Sequence, residues 1–379
     1  MPSSVWRAAA FLVLAACGPD VTAAPSARSG EECASPFCSA SVTVGAPALD
    51  TTLQVIHVVT PDGSGEVNHP DVVVAPQGWG RHRLYLALTP YPKGVDRHEN
   101  PSVYAGNDGV SWTVEPGAKN PVQTPEKGHL SDPALVFDTE ARELWLYYRQ
   151  VFDSNRVYLT RSAEGTRWSA PVEVAAAPNQ DLISPSVVYR GPGDWQMWSV
   201  NAGVAGCASD TGTVERRTSV DGLHWSDPTP VMLAPPGPGR LSVWHLQVEW
   251  VPEFRRYWAI FNARPSGSCR TTVVFVAESA DGVTWRTRGE PALSAGAIPA
   301  FSNVVYRSSL LYDPLRDAVH IWFSGATVTA QGDQRWSVAT RAVRRAVLFP
   351  VRSSAGPEDV PAVALGAAAR GPYGGDAPR

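Results

Sequence analysis

A short pattern built around a turn glycine and a tryptophan recurs through the chain: Asn107-Asp108-Gly109-Val110-Ser111-Trp112, Ala163-Glu164-Gly165-Thr166-Arg167-Trp168, Val220-Asp221-Gly222-Leu223-His224-Trp225 and Ala280-Asp281-Gly282-Val283-Thr284-Trp285. The tryptophans recur at intervals of roughly 56 to 60 residues. An acidic residue and a glycine between alternating apolar stretches mark a hairpin, because the turn needs a positive φ that glycine adopts without steric cost. The tryptophan three residues on can pack back over that turn. A fifth unit, 305 to 343, keeps the strand pattern but has Gln331-Gly332-Asp333-Gln334-Arg335-Trp336 in place of the turn.

Between these hairpins each unit repeats an apolar strand, a turn and an aromatic strand. The pairs are 134–138 with 144–148, 186–189 with 195–198, 247–250 with 257–261, and 309–313 with 318–323. Each unit thus holds about four strands, and radial repetition of such sheets is how a β-propeller limits its exposed edges. With 34 Pro, 32 Gly and 14 Trp among 379 residues and only 18% charged, composition also argues against a mainly helical chain. The expectation is an all-β, five-bladed β-propeller with four-stranded blades over residues 52–352. Either 52–59 or 346–351 would supply the strand that closes the ring. A formal net charge of −4 gives no basic field for phosphate backbones, so nucleic acid is not an expected partner. A monomer is expected.

If the first strand of every blade lines the central channel, equivalent positions form rings. Aligning the blades on Phe137, Trp250 and Tyr312 gives one ring of His69, Asp132, Ser184, His245 and Arg307 and, two residues on, a second of Asp71, Ala134, Ser186, Gln247 and Ser309. Two carboxylates, two imidazoles and a guanidinium are not what a purely structural channel calls for. The loop of residues 89–101 should return to the same face and bring Tyr91, Arg97, His98 and Glu99 to the mouth. The corresponding loops of blades three and four run through Cys207 and Cys269, which places those cysteines side by side and predicts a disulfide across the rim.

His69-Pro70-Asp71-Val72, Ser131-Asp132-Pro133 and the blade-end turns resemble the five-bladed propeller glycosidases, the group that includes arabinanases, β-xylosidases, invertases and levansucrases. The resemblance covers roughly residues 65 to 345. It implies that Asp71 is base or nucleophile and that Asp132 tunes its neighbours and orients substrate. The third blade departs from the pattern, because Ser184 stands where a glutamic acid would protonate the leaving group. Glycoside cleavage needs two carboxyl groups flanking one bond, and Glu99 is the candidate for the displaced acid. Glu249, deeper along its strand, is the weaker alternative.

His69, Tyr91, Ser184, Trp244, His245, Gln247 and Arg307 are the expected substrate-binding groups, with Tyr91 and Trp244 offering apolar faces to a sugar ring. No cofactor and no metal ligand set is expected, although two imidazoles near two carboxylates could hold a cation in the channel. The function read from the sequence is binding and hydrolysis of a carbohydrate in the central funnel; the alternative is a non-catalytic propeller that recognises a glycan or a protein.

Residues 1–17 read as an export signal: one Arg, then an apolar run from Ala8 to Ala16 too short to span a bilayer. The run ends in Leu14-Ala15-Ala16-Cys17, which resembles a bacterial lipobox with Cys17 as the acylated residue. The alternative is an ordinary secretory signal cut near Ala23-Ala24. A lipid-anchored protein of the cell envelope, at the outer membrane where one exists, is the expectation, with contact to the membrane through the anchor alone. Four cysteines then remain in an oxidising compartment, permitting Cys33–Cys38 and Cys207–Cys269. Residues 18–51 have the composition of a tether, and 353–379 that of a disordered tail.

Overall fold

The computed structural model describes residues 53–350, apart from 210–211, 238–240 and 298–300. Cys17, Cys33 and Cys38, the tether and the tail lie outside the described residues. What is described is almost entirely antiparallel β-structure in five sheets, the five-bladed propeller expected from the repeats.

Blade one is built from Val67–Val74, Leu84–Pro90 and Ser102–Gly106. Blade two runs through His129–Asp138, Glu143–Val151, Asn155–Ser162 and Val172–Ala177. Blade three follows as Ile183–Tyr189, Trp195–Asn201, Thr213–Ser219 and Thr229–Val231. Blade four has Leu241–Val251, Arg256–Pro265, Val273–Ser279 and Trp285–Thr287, with Leu293–Ser294 as a fifth short strand. Val304–Asp313, Ala318–Val328 and Gln334–Arg344 make blade five, and its outer strand is Gln54–Val55 from the start of the domain. Of the two expected closures it is therefore the N-terminal one that seals the ring, while Arg345–Leu348 forms one turn of helix.

Blade one departs from the four-strand expectation. Its outer position shrinks to a single bridge between Ala105 and Thr113. Asn120 completes the edge with its side chain, accepting from the Val103 N–H and donating to the Val103 carbonyl at 2.9 Å each. The amide does there what a strand backbone does elsewhere, so the edge is not left open.

The apolar core is divided among the seams between blades. Alternation along the second strand of blade four shows how: Tyr257, Ala259 and Phe261 pack toward blade three, while Trp258 and Ile260 pack toward blade five. Each large side chain so buried contributes roughly 1.5–3 kcal/mol. The repeated turn belongs to this packing. Gly282, at φ 73°, presents its carbonyl to the Trp198 indole N–H of the preceding blade at 2.9 Å, and any Cβ there would press on that ring. Gly222 accepts in the same way from the Tyr147 hydroxyl at 2.9 Å, and Gly109 from the Trp322 indole at 2.7 Å. The recurring glycine is thus both a turn and a docking point for the neighbouring blade.

Candidate functional site

Every inner strand carries a β-bulge at the mouth of the channel, two residues facing one on the second strand. The bulged pairs are His69-Pro70, Asp132-Pro133, Ser184-Pro185, Trp244-His245 and Tyr306-Arg307, so all five residues of the first expected ring sit in bulges. His69, Asp132 and Ser184 have φ of 54°, 52° and 55°, a left-handed backbone that non-glycine residues adopt at a cost and that clusters at functional sites. Blades four and five have no proline in the bulge and bring an aromatic side chain to the mouth beside the polar one.

Asp132 is the hub. Arg149 Nε lies 2.9 Å from its Oδ2, which also accepts the Ser184 N–H at 3.2 Å. Around Oδ1 stand His245 Nδ1 at 3.2 Å, His69 Nε2 at 3.5 Å and Arg307 Nη1 at 3.7 Å. Burial alone would raise this carboxyl, but Arg149 foremost, with the imidazoles, holds it well below the usual carboxylate range. His69 and His245 are buried, and that burial lowers both against the opposing pull of the Asp132 charge.

Glu99 reaches the other side of His69, with Oε1 3.5 Å from Nδ1, while its Oε2 lies 3.6 Å from His129 Nε2. The Leu130 N–H donates to the Glu99 carbonyl at 3.0 Å and pins this blade-one loop to the start of blade two. Burial first, and then the charge of Asp132, pushes the Glu99 carboxyl well above its ordinary value. One imidazole therefore separates a carboxyl held low from a carboxyl held high.

Trp244 donates its indole N–H to the Tyr306 hydroxyl at 2.9 Å, and the Tyr306 ring lies 4.4 Å from that of His245 and 5.6 Å from that of His69. Trp336 packs against Tyr306 at 5.5 Å and Tyr91 at 5.0 Å, completing an aromatic wall. Cys207 and Cys269 form the disulfide read from the sequence, joining the rim loops of blades three and four with Cα atoms 4.7 Å apart.

One layer deeper, the second ring clasps blade to blade. Asp71 Oδ2 accepts the Leu135 N–H at 2.7 Å, Ser186 Oγ the Val248 N–H at 2.8 Å, Gln247 Oε1 the Leu310 N–H at 3.2 Å and Ser309 Oγ the Val72 N–H at 3.1 Å. Ser184 belongs to the same device, exchanging hydrogen bonds with the backbone of Leu246 in both directions. Burial raises the Asp71 carboxyl to about 6 against the pull of Arg307 and the Leu135 hydrogen bond. Gln247 also reaches Glu249 at 3.4 Å.

His129, Arg149, Tyr306 and Trp336 were not singled out by the sequence reading. Tyr306 carried a legible signal, since it fills a bulge position beside Arg307 in a blade that lacks the proline. Trp336 looks in sequence like a degenerate blade-end turn, yet it lies near the start of the third strand of blade five, against Tyr306 and Tyr91.

Asp132 Oδ1, His69 Nε2 and His245 Nδ1 lie within 4.8 Å of one another, and despite that closeness none of them makes a hydrogen bond of acceptable geometry. Two imidazole nitrogens and a carboxylate oxygen converging on one buried point are a donor set that fits a divalent cation. Among the described residues they are the cluster that meets this test.

No family model matches the chain. It is 28% identical, over 307 residues and 68% of its length, to the A type blood N-acetyl-alpha-D-galactosamine deacetylase of Flavonifractor plautii, and the match spans 40% of that relative. Among solved structures it resembles an N-acetylgalactosamine deacetylase from F. plautii in complex with blood group B trisaccharide, at a TM-score of 0.68 and 24% identity over 76% of this chain and 95% of that one. A thermostable family-43 glycoside hydrolase gives 0.53 at 13% identity, covering 73% of this chain and 88% of that one. An alpha-L-arabinofuranosidase from Podospora anserina, in complex with cellotriose, gives 0.53 at 11% over 76% and 94%. The fold of this chain is the five-bladed β-propeller shared by those glycosidases and the deacetylase.

Proposed function

We propose that the chain is a carbohydrate-active hydrolase that removes the acetyl group from an N-acetylated amino sugar bound in the central funnel. The observation that carries this reading is the convergence of Asp132 Oδ1, His69 Nε2 and His245 Nδ1 beside the Glu99 carboxyl. The similarity to a deacetylase over 307 residues supports it.

A divalent cation on those three ligands would supply Lewis acidity and lower the pKa of a water. Glu99, whose carboxyl burial shifts toward the protonated form, gives its proton to the departing nitrogen and regains the one that the attacking water sheds, so that amide and water leave as amine and acetic acid. Burial keeps the Tyr306 phenol protonated, its oxygen already accepts from Trp244, and its O–H is free to donate to the carbonyl oxygen as that atom gains charge. Arg149 and Arg307 hold Asp132 ionised and in place. Tyr91, Trp244 and Trp336 form the wall against which the sugar packs.

A second reading is cleavage of a glycosidic bond by Asp71, Asp132 and Glu99, favoured by a Glu99 carboxyl raised above its ordinary value, the direction a general acid needs. Against it, Asp132 has one oxygen committed to Arg149 and Ser184, and Asp71 to Leu135. Incubating the full chain with N-acetylgalactosamine glycosides and measuring acetate and reducing sugar separately decides between them. Acetate release that falls by about a hundredfold or more in Glu99→Gln is the expected result. Release of reducing sugar without acetate selects the glycosidase, and binding with no product selects a recognition module.

Export and lipid anchoring through Cys17 belong to the same proposal, supported by the Leu14-Ala15-Ala16-Cys17 sequence and by a disulfide suited to an oxidising compartment. Incorporation of labelled fatty acid that is lost in Cys17→Ser is the test.

A further inference from the structure

Phe152 is 56% exposed and is the one exposed aromatic ring of a Phe, Tyr or Trp among the described residues. Its place in the fold is close to the reacting groups. Val151 pairs with His129 across the first two strands of blade two, and His129 Nε2 lies 3.6 Å from Glu99 Oε2. Phe152 follows Val151 directly, in the loop that turns at the channel mouth.

That loop is held rather than loose. The Phe152 N–H donates to the Ser154 carbonyl at 3.3 Å, and Arg156 pairs with Asp153 at 3.4 Å. On its other flank Gly128, at φ 73°, packs so closely that a side chain there would collide with the Val151 carbonyl and press on Phe152 Cβ. Gln150 holds the Lys127 carbonyl at 3.0 Å, and Lys127 Nζ stands 5.6 Å from the Phe152 ring centroid. An exposed apolar ring thus stands on a held loop at the lip of a polar funnel, with an ammonium over one of its faces and the other face left for a ligand. Aromatic faces bind the C–H side of a sugar, and the ammonium suits the oxygens around its edge.

We propose that Phe152 is the stacking platform for the sugar next to the reacting one, so that the protein takes an oligosaccharide leaving the funnel over blade two. The inference rests on the reading that the funnel binds carbohydrate, and it adds a second contact point that determines chain-length preference.

The test compares N-acetylgalactosamine methyl glycoside with a trisaccharide ending in N-acetylgalactosamine, on the full chain, by calorimetric binding and by acetate release. Phe152→Ala should weaken trisaccharide binding and raise its KM by about tenfold with kcat unchanged, leave the monosaccharide parameters as they are, and be rescued by Phe152→Trp. Val204→Ser, at another exposed rim residue, should change neither. Equal losses on both sugars, or trisaccharide binding unchanged in Phe152→Ala, overturn the platform. If wild type releases no acetate, the deacetylase reading fails while the calorimetric comparison still decides the platform; a wild type that binds no trisaccharide overturns both.

Discussion

The backbone N–H of Leu135 donates to Asp71 Oδ2 at 2.7 Å, across the seam between the first and second blades. A carboxyl that the resemblance to propeller glycosidases implies is base or nucleophile is thereby one of a series of clasps with Ser186, Gln247 and Ser309. Removing it leaves a buried N–H without an acceptor, which costs about 1–3 kcal/mol. Asp71→Ala should lose that much stability in denaturant unfolding. Asp71→Asn, which keeps an acceptor, should lose clearly less and retain acetate release; loss of turnover in Asp71→Asn at unchanged stability would return Asp71 to the chemistry.

Glu249 lies in the channel, where burial, and after it the charge of Asp71, raises its carboxyl to about 8. In the unfolded chain the group titrates near 4.5. Between those values the folded protein holds a proton that the unfolded chain has given up, so stability must fall as pH rises through that window. Glu249→Gln should flatten this fall and be the more stable protein at pH 8. Unfolding curves of the two proteins from pH 5 to 8 that run parallel would contradict the placement.

The Cys207–Cys269 disulfide closes a long loop, with a sequence separation of 62, and joins two rim loops. Its loss should cost about 2–4 kcal/mol. Arg264 holds the same rim, donating to the carbonyls of Ser209 and Gly206 at 2.7 and 3.2 Å. A Cys207→Ser, Cys269→Ser double variant should therefore unfold earlier in denaturant yet keep measurable binding of N-acetylgalactosamine glycosides. A midpoint unchanged from wild type would count against the bridge.

How much of this was legible in the sequence depends on which strand a residue occupies. The turn around Gly222 and Gly282 repeats because each glycine must also receive an aromatic donor from its neighbour, and a constraint repeated blade by blade leaves a period that can be read. His69, Asp132, Ser184, His245 and Arg307 were found because inner-strand starts recur at corresponding places. Arg149 was not, since it comes from the end of a second strand, opposite Ser131, where what repeats between blades is aromatic and no charged residue recurs. Trp244 was read as a rim aromatic, but its counterpart Tyr306 was not, because the bulges of blades four and five lack the proline of the other three, a shift in local backbone that alignment on downstream aromatics does not see. The convergence of two imidazoles and a carboxylate on one point is a property of five bulges arranged in a ring, and spacing along the chain does not encode it.

The account depends most on the cation cluster. Asp132→Asn is a poor probe, because it leaves Arg149 and Arg307 buried without their counter-charge, whereas cutting back His69 or His245 leaves that carboxylate with both guanidinium groups. The direct measurement is the divalent metal content of the purified full chain after equilibration with the ion and gel filtration, wild type beside His69→Ala and His245→Ala, with circular dichroism confirming that all three are folded. The account predicts about one ion per chain in wild type and a loss of at least most of it in both variants, together with loss of acetate release. A folded wild type that retains no ion, or variants that hold it as tightly as wild type, would contradict it.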